Sequence, residues 1–379
     1  MKKVFYFSLG LLFLVLIFLG AYNFVFKNNV NDPTVAIDGK TLTNKEPFTE
    51  EKPLSISISP FLNEDVSDVS ISLDGFLFYY SLDDQALKKA TLEGKDKTVL
   101  LSNLPGTPTR ILWSPKKDRV LLFLKQSTGE SFWYSVDIAT KTLIPLKAEI
   151  SRIAWNNLGD TLLYQYTDFT TGKRTLNTAR PDGTAWKKIV DVSRDTYIAP
   201  IPQSASISFW SRPNAFEATS FESVGITGES RKTLLSEKFG ADYLWSPNGE
   251  KVLVSTSSEK GGKGMFLGSM NANGGEFQSL ATPTLISKVV WSKDNKTIYF
   301  ALPGSIPENA VLPNDYFEKS LHTKDTFWKL DMSNGKKTRL TELKEVVQNF
   351  DSTNLLLSPD ESTLFFTDRV TKRLYRIEL

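Results

Sequence analysis

The stretch that decides the fold is Leu112-Trp113-Ser114-Pro115, followed after Lys116-Lys117-Asp118-Arg119 by Val120-Leu121-Leu122-Phe123. An apolar run ends on a bulky aromatic, and a short polar turn follows. Pro presets φ in that turn, and Ser and Asp bond the nearby backbone. Four apolar residues then read as a buried strand. Two strands joined this way form a hairpin. A lone hairpin is marginal in water, so the unit requires neighbours.

The neighbours are copies of itself. Leu244-Trp245-Ser246-Pro247-Asn248-Gly249 runs to Val252-Leu253-Val254, and Val290-Trp291-Ser292 runs to Ile298-Tyr299-Phe300. Ala154-Trp155-Asn156 leads to Leu162-Leu163-Tyr164. Leu357-Ser358-Pro359-Asp360 leads to Leu364-Phe365-Phe366, and Ile71-Ser72-Leu73-Asp74-Gly75 to Leu77-Phe78-Tyr79. A degenerate copy starts at Ile201 and ends at Phe209-Trp210. The anchors therefore fall at 71, 113, 155, 201, 245, 291 and 357, at intervals of 42 to 46 residues except the last, which is 66. The long interval contains an insertion, Leu302 to Asp325. Each unit continues into a third strand, such as Phe132-Trp133-Tyr134-Ser135-Val136. A fourth follows, as in Asp331-Met332-Ser333-Asn334-Gly335-Lys336 turning into Thr338-Arg339-Leu340-Thr341. Asn-Gly between two such runs is a strong hairpin signal. A period in the low forties with four strands per unit is propeller spacing. The recurring Trp113, Trp155, Trp245 and Trp291 are expected as structural anchors packed between units.

These W-S-P-x-G units resemble the WD40-like (PD40) repeats of TolB-type β-propellers, which also occur in the propeller domains of prolyl oligopeptidase-like peptidases. The resemblance covers about residues 53–379 and implies a fold, with almost nothing about function. The expectation is an all-β chain, an about seven-bladed β-propeller of four-stranded blades. The last unit stops at Leu379 without an outer strand. Leu54-Ser55-Ile56-Ser57-Ile58 alternates as a strand does, and is expected to supply the missing one and seal the ring.

Val4 to Phe26 is uncharged and apolar. As a helix it would be about 34 Å long, enough for ~30 Å of hydrocarbon. Lys2 and Lys3 precede it and Lys27 follows, which favours a cytoplasmic N-terminus. Residues 1–26 are thus expected as an uncleaved, single-pass N-terminal transmembrane anchor, 27–52 as a polar tether, and the propeller as extracytoplasmic. The alternative is a cleaved signal peptide, whose apolar region would be shorter. Both export the domain.

Chemistry is harder to find. Of 379 residues none is Cys and one is His, His322, which excludes thiol chemistry and weakens every His-based triad or metal site. Lys plus Arg is 45 against 43 Asp plus Glu, so no basic excess points to nucleic acid. No G-x-S-x-G elbow or G-x-G-x-x-G occurs. Gly261-Gly262-Lys263-Gly264 lacks the rest of a phosphate loop and reads as a connection between strands. Arg180-Pro181-Asp182-Gly183-Thr184-Ala185-Trp186 is similar to the Asp-box of sialidases but with altered spacing, and reads as a hairpin turn. The expectation is therefore a non-catalytic protein–protein or cell-envelope interaction module without cofactor or metal. Tyr316, Phe317 and His322 of the insertion are the candidate partner contacts. Two alternatives stand beside it: a glycan or ester hydrolase using carboxylates that line the channel, and a small-ligand sensor.

Overall fold

The computed structural model describes residues 57–304, 306–341 and 348–379. In it the turn after each anchor is held twice. The Ser114 N–H donates to Arg119 O (2.9 Å), that of Ser246 to Lys251 O (2.8 Å) and that of Ser358 to Thr363 O (2.9 Å). The same serine hydroxyls accept from the Arg119, Lys251 and Thr363 N–H groups at 3.1, 3.0 and 3.0 Å. The turn in turn sets the register. Trp113 lies opposite Val120, Trp155 opposite Leu162, Trp245 opposite Val252, Trp291 opposite Ile298 and Leu357 opposite Leu364.

The degenerate copy is shifted by one residue. The Ile201 N–H donates to Ser206 O (3.0 Å), so Ile201 holds the place of the serine. Pro200 pairs with Ile207 and stands where the tryptophan would be. With the turn motif lost, bulk alone pointed to the wrong neighbour.

The described strands form five antiparallel sheets, three of four strands and two of seven. Two long strands explain the larger sheets. Lys232–Trp245 pairs with Ala218–Ser223 through its first half and with Val252–Ser257 through its second. Ile58–Ile71 pairs first with the last strand, Ile58 opposite Ile377 and Pro60 opposite Tyr375, and then with Leu77–Ser81. The expected partner of the last strand is thus found, but the sealing strand begins at Ile58, where the expectation had it end. The anchor, the tether and Leu54–Ile56 fall outside the described residues. Among those described, no helix is long and apolar enough to cross a membrane.

Apolar faces of successive units pack on one another. Leu121 and Trp133 of one meet Trp155 and Leu162 of the next, and Leu253 and Leu267 meet Trp291 and Ile298. All four anchor tryptophans are buried. Each indole N–H also reaches back to the preceding unit: Trp155 Nε1 donates to Leu112 O (2.9 Å), Trp113 to Asp68 O (2.8 Å) and Trp291 to Leu244 O (3.4 Å). Trp245 faces the unit that has Pro200. There the bond is relayed, from Trp245 Nε1 to Ser208 Oγ (2.9 Å) and from Ser208 Oγ to Ala199 O (3.3 Å).

Candidate functional site

The first strands of the units surround a cavity of about 1030 Å³. Its wall follows from register. Three residues before each anchor position stand Asp68, Arg110, Arg152, Tyr197, Asp242, Lys288 and Asn354. Alternation in a strand puts residues three apart on opposite faces, so the column turns away from the anchors. Asp68, Arg110, Arg152, Tyr197 and Asn354 line the cavity. Asp68 and Asn354 adopt left-handed φ of 50° and 53° at irregularities in their strands. Asp and Asn tolerate that conformation better than other residues with a Cβ, and a bulge re-aims a side chain. Lys288 departs from the column, because the 3-10 turn Ile286–Lys288 carries it elsewhere and leaves Ser287 on the wall.

The wall is cationic. Arg110, Lys117, Arg152, Arg369 and Lys372 face the cavity, against one carboxylate, Asp68. Two of the cations are occupied. Arg152 makes a two-pronged pair with Asp195, Nε to Oδ1 at 3.1 Å, and lies 4.6 Å from the Tyr197 ring. Arg369 bonds Asp351 (Nε to Oδ2, 3.0 Å) and stacks on Tyr316 at 3.7 Å. Arg110 and Lys117 have no hydrogen-bonded carboxylate among the described residues. Burial, and then the charge of Arg152, push Arg110 below its ordinary pKa, and burial pushes Lys117 down to about 8. Two hydroxyls on the wall, Ser287 Oγ and Thr367 Oγ1, also lack partners.

Two carboxyls of the column are perturbed upward. Asp68 is reached by water in the cavity yet walled by protein, and burial raises its pKa despite the hydrogen bonds of Ser67 and the Ile111 N–H. Burial pushes Asp242 up to about 6, although it accepts from Trp210 Nε1 at 3.0 Å and the Tyr243 N–H at 3.1 Å. Asp242 does not line the cavity, whereas Asp68 shares it with Arg110 and Lys117, and a carboxyl with raised pKa near cations suits proton transfer on an anionic substrate.

The insertion carries the residues expected to meet a partner. Tyr316 is 3% exposed and packs with Met265, Leu285, Leu312 and Leu321. It is a core residue of the insertion, because the one-turn helix Asn314–Phe317 folds inward, pinned by Asn314 Oδ1 accepting from the Ala215 N–H at 2.9 Å. Tyr316 therefore offers no surface to a partner. Phe317 lines a second cavity, of about 650 Å³, with Arg194, Asp195 and Arg212. The exposed His322 ring sits with Nδ1 3.1 Å from Asp351. Beneath it is a buried ion cluster, in which Lys288 Nζ contacts Asp325 Oδ2 (2.6 Å), Asp351 Oδ1 (3.0 Å), Thr323 Oγ1 (3.0 Å) and Ser352 O (2.6 Å).

The column Asp68, Arg110, Arg152, Tyr197, Asp242 was open to sequence reasoning and was missed. Its signal is a polar residue at a fixed offset before each anchor, inside an otherwise apolar strand. A motif search does not ask that question.

No protein-family model matches the chain, and no curated protein matches it. Solved structures do. An oligogalacturonate lyase in complex with manganese matches at a TM-score of 0.58 and 15% identity, over 86% of this chain and 97% of that one. The oligogalacturonate lyase of Vibrio parahaemolyticus matches at 0.59 and 9%, with the same coverage. The β-propeller domain of the trilobed protease from Pyrococcus furiosus matches at 0.53 and 14%, over 83% of this chain and 93% of that one. At such identities the likeness shows the fold, and the fold is a β-propeller. The resemblance to TolB-type repeats is thus supported at the level of fold and not at that of family.

One expectation is overturned. The non-catalytic interaction module rested on the complete propeller, the apolar N-terminal segment and the missing catalytic motifs. Two proteins named as lyases align with this chain over 97% of their own length, so the propeller fold without a further domain is no argument against catalysis. The manganese of the first does not transfer. Among the described residues no group of three or more His, Cys, Asp or Glu could hold a metal ion, and the cavity offers a single carboxylate, Asp68, among cations.

Proposed function

We propose that this chain is an enzyme cleaving glycosidic bonds in an acidic oligosaccharide, with the propeller cavity as its site. The observation that carries the reading is the pair of cations bonded to no carboxylate among the described residues, Arg110 and Lys117, in a cavity that also holds Asp68. Arg110 presents a planar guanidinium suited to a sugar carboxylate, and Lys117 adds a point charge. Asp68, its pKa raised, is the proton-transfer group, and Asp242 is a second raised carboxyl on the same column. Tyr197, beside Arg152, supplies a ring face for a pyranose. The likeness to oligogalacturonate lyases supports an acidic saccharide as the substrate class.

The two long strands each sit midway in a seven-stranded sheet, and sharing each between two adjoining four-stranded blades supports a division into seven blades. The apolar Val4–Phe26 supports a membrane-anchored, extracytoplasmic enzyme that meets its polysaccharide outside the cytoplasm.

The test is incubation of the full chain with oligogalacturonate and oligoglucuronate, followed by new reducing ends and by the ultraviolet absorbance of an unsaturated product. The expectation is cleavage that Asp68→Asn abolishes and that Arg110→Gln slows by raising KM. Failure of the wild-type chain to bind or cleave either acid sugar would overturn the reading.

A further inference from the structure

A third cavity lies away from the channel, on the Trp155 unit. It measures about 250 Å³ and is lined by Lys147, Tyr164, Tyr166, Asn177, Trp186 and Lys188, together with Thr175 and the charged pair Asp168 and Lys173. Pairing builds it. Tyr164 lies opposite Asn177 and Tyr166 opposite Thr175, while Asn177 lies opposite Lys188, so these side chains share one face of three adjacent strands. Trp186 ends the Arg180–Trp186 turn, which closes as a hairpin through Arg180 N–H to Thr184 O at 2.9 Å. Lys147 comes from the connection between the Trp113 and Trp155 units.

The lining is that of a binding site. Trp186 is 57% exposed, one of the few large apolar residues left in the open. The Lys147 ammonium sits 5.6 Å from the Trp186 ring and 5.8 Å from that of Tyr166, and has no carboxylate partner among the described residues. Tyr164 is 4% exposed and Asn177 2%, yet the Tyr164 hydroxyl bonds nothing described, and the Asn177 amide oxygen is free while its nitrogen is held by Thr175. Burial and then Tyr166 push the Tyr164 hydroxyl up to about 12, so it remains a donor at every physiological pH. Both residues are buried, yet these two atoms are not sealed in: they open onto the cavity, where a ligand can meet them. Lys188 is paired with Asp191 at 2.6 Å. Asp168 is engaged by the Thr170 and Thr171 N–H groups at 2.8 and 3.0 Å.

We infer that this groove is a second saccharide-binding site, in which Trp186 and Tyr166 form the stacking platform for one uronate ring, Tyr164 and Asn177 bond its hydroxyls, and Lys147 takes its carboxylate. An aromatic platform with an amide, a hydroxyl donor and a cation beside it fits an acidic sugar better than an apolar ligand, which would leave three polar groups unpaired. The site stands independently of the channel reading, since it shares no residue with it.

The experiment is isothermal titration of the full chain with trigalacturonate and with a neutral galactotriose, using Asp68→Asn as the background so that no turnover intervenes. Trp186→Ala is expected to remove one class of sites, weakening it about tenfold or more, while leaving the other. Lys147→Gln, which keeps the platform, is expected to reduce affinity for trigalacturonate and not for the neutral trimer. Arg110→Gln is expected to spare the groove. Trp186 is exposed, so its removal leaves the core intact, which a thermal unfolding curve checks. Unchanged titrations in both Trp186→Ala and Lys147→Gln would overturn the groove whatever the channel does. Loss of all binding in Arg110→Gln would overturn the groove while supporting the channel. Equal loss of neutral and acidic trimers in Lys147→Gln would overturn its role in reading the acid.

Discussion

Replacing Lys288 by Met should expose the cost of the buried ion cluster. The side chain of Lys288 is 0% exposed, and those of Asp325 and Asp351 are 0% and 1%. Burial works to lower the lysine's pKa, and the two carboxylates outweigh it and hold it above its ordinary value. Asp351 keeps Arg369 and His322 after the change. Asp325 keeps only the Ser352 N–H and hydroxyl, at 2.7 and 2.6 Å, and its other oxygen already lacks a partner. Removing one member of a buried pair strands a charge and costs about 3–5 kcal/mol. Urea unfolding at pH 7, followed by tryptophan fluorescence, measures it. The pH dependence is a second readout. Despite burial, Lys288 and Arg369 hold Asp351 below its ordinary 3.8. In the wild type its contribution is therefore full above that value and fades as pH falls through the depressed one. In the variant Asp351 loses the hold of Lys288 and protonates earlier, so the gap between the two proteins should narrow as pH drops from 7 to 4. A second variant, Lys288→Met with Asp325→Leu, should recover most of the loss. A loss below about 1 kcal/mol at pH 7, or a gap that does not change with pH, would refute the reasoning.

Asp242→Asn keeps an acceptor for Trp210 and removes a carboxylate that burial raises to about 6. Such a group costs stability increasingly as pH rises from 3.8 through 6, so the variant should gain about 1–2 kcal/mol at pH 8 and nothing at pH 4, by urea titration. Glu64 is the opposite case. Against its burial, Lys88, Lys97, Ser81 and Tyr79 hold it down to about 2, so its contribution is full above 4.5 and lost as pH falls through 2. Glu64→Gln should cost about 2 kcal/mol at pH 7, and the difference should vanish in acid unfolding near pH 2. Trp155→Phe removes the indole bond to Leu112 O and should cost about 1 kcal/mol beyond the packing change, measured against Trp291→Phe, whose bond is longer at 3.4 Å.

The repeat was legible because each Ser-Pro turn is a local object, set by a hydroxyl and a proline that act within a few residues. The anchors at 113, 155, 245, 291 and 357 take the register their spacing implied. Where the turn chemistry was lost, at Pro200-Ile201, the reading slipped by one residue. Tyr316 misled for a related reason. An aromatic in a long polar insertion reads as exposed, and nothing local announces that Arg369, far along the chain, will stack on it. The site was least legible. Asp68, Arg110 and Arg152 are unremarkable as individual residues in their strands. They become a site only when register is combined with ring closure, which brings together positions dispersed across the whole repeat array.

The strand Ile58–Ile71 gives that closure a consequence in time. During synthesis its first residues emerge long before Arg373–Glu378, their hydrogen-bonding partners, exist. Every partly made chain is therefore an open spiral with an unpaired edge at each end, the kind of surface that recruits holding factors or proteases. The pairing of Ile58 with Ile377 thus joins the two ends of the array, and a chain lacking Arg373–Glu378 would leave that edge bare.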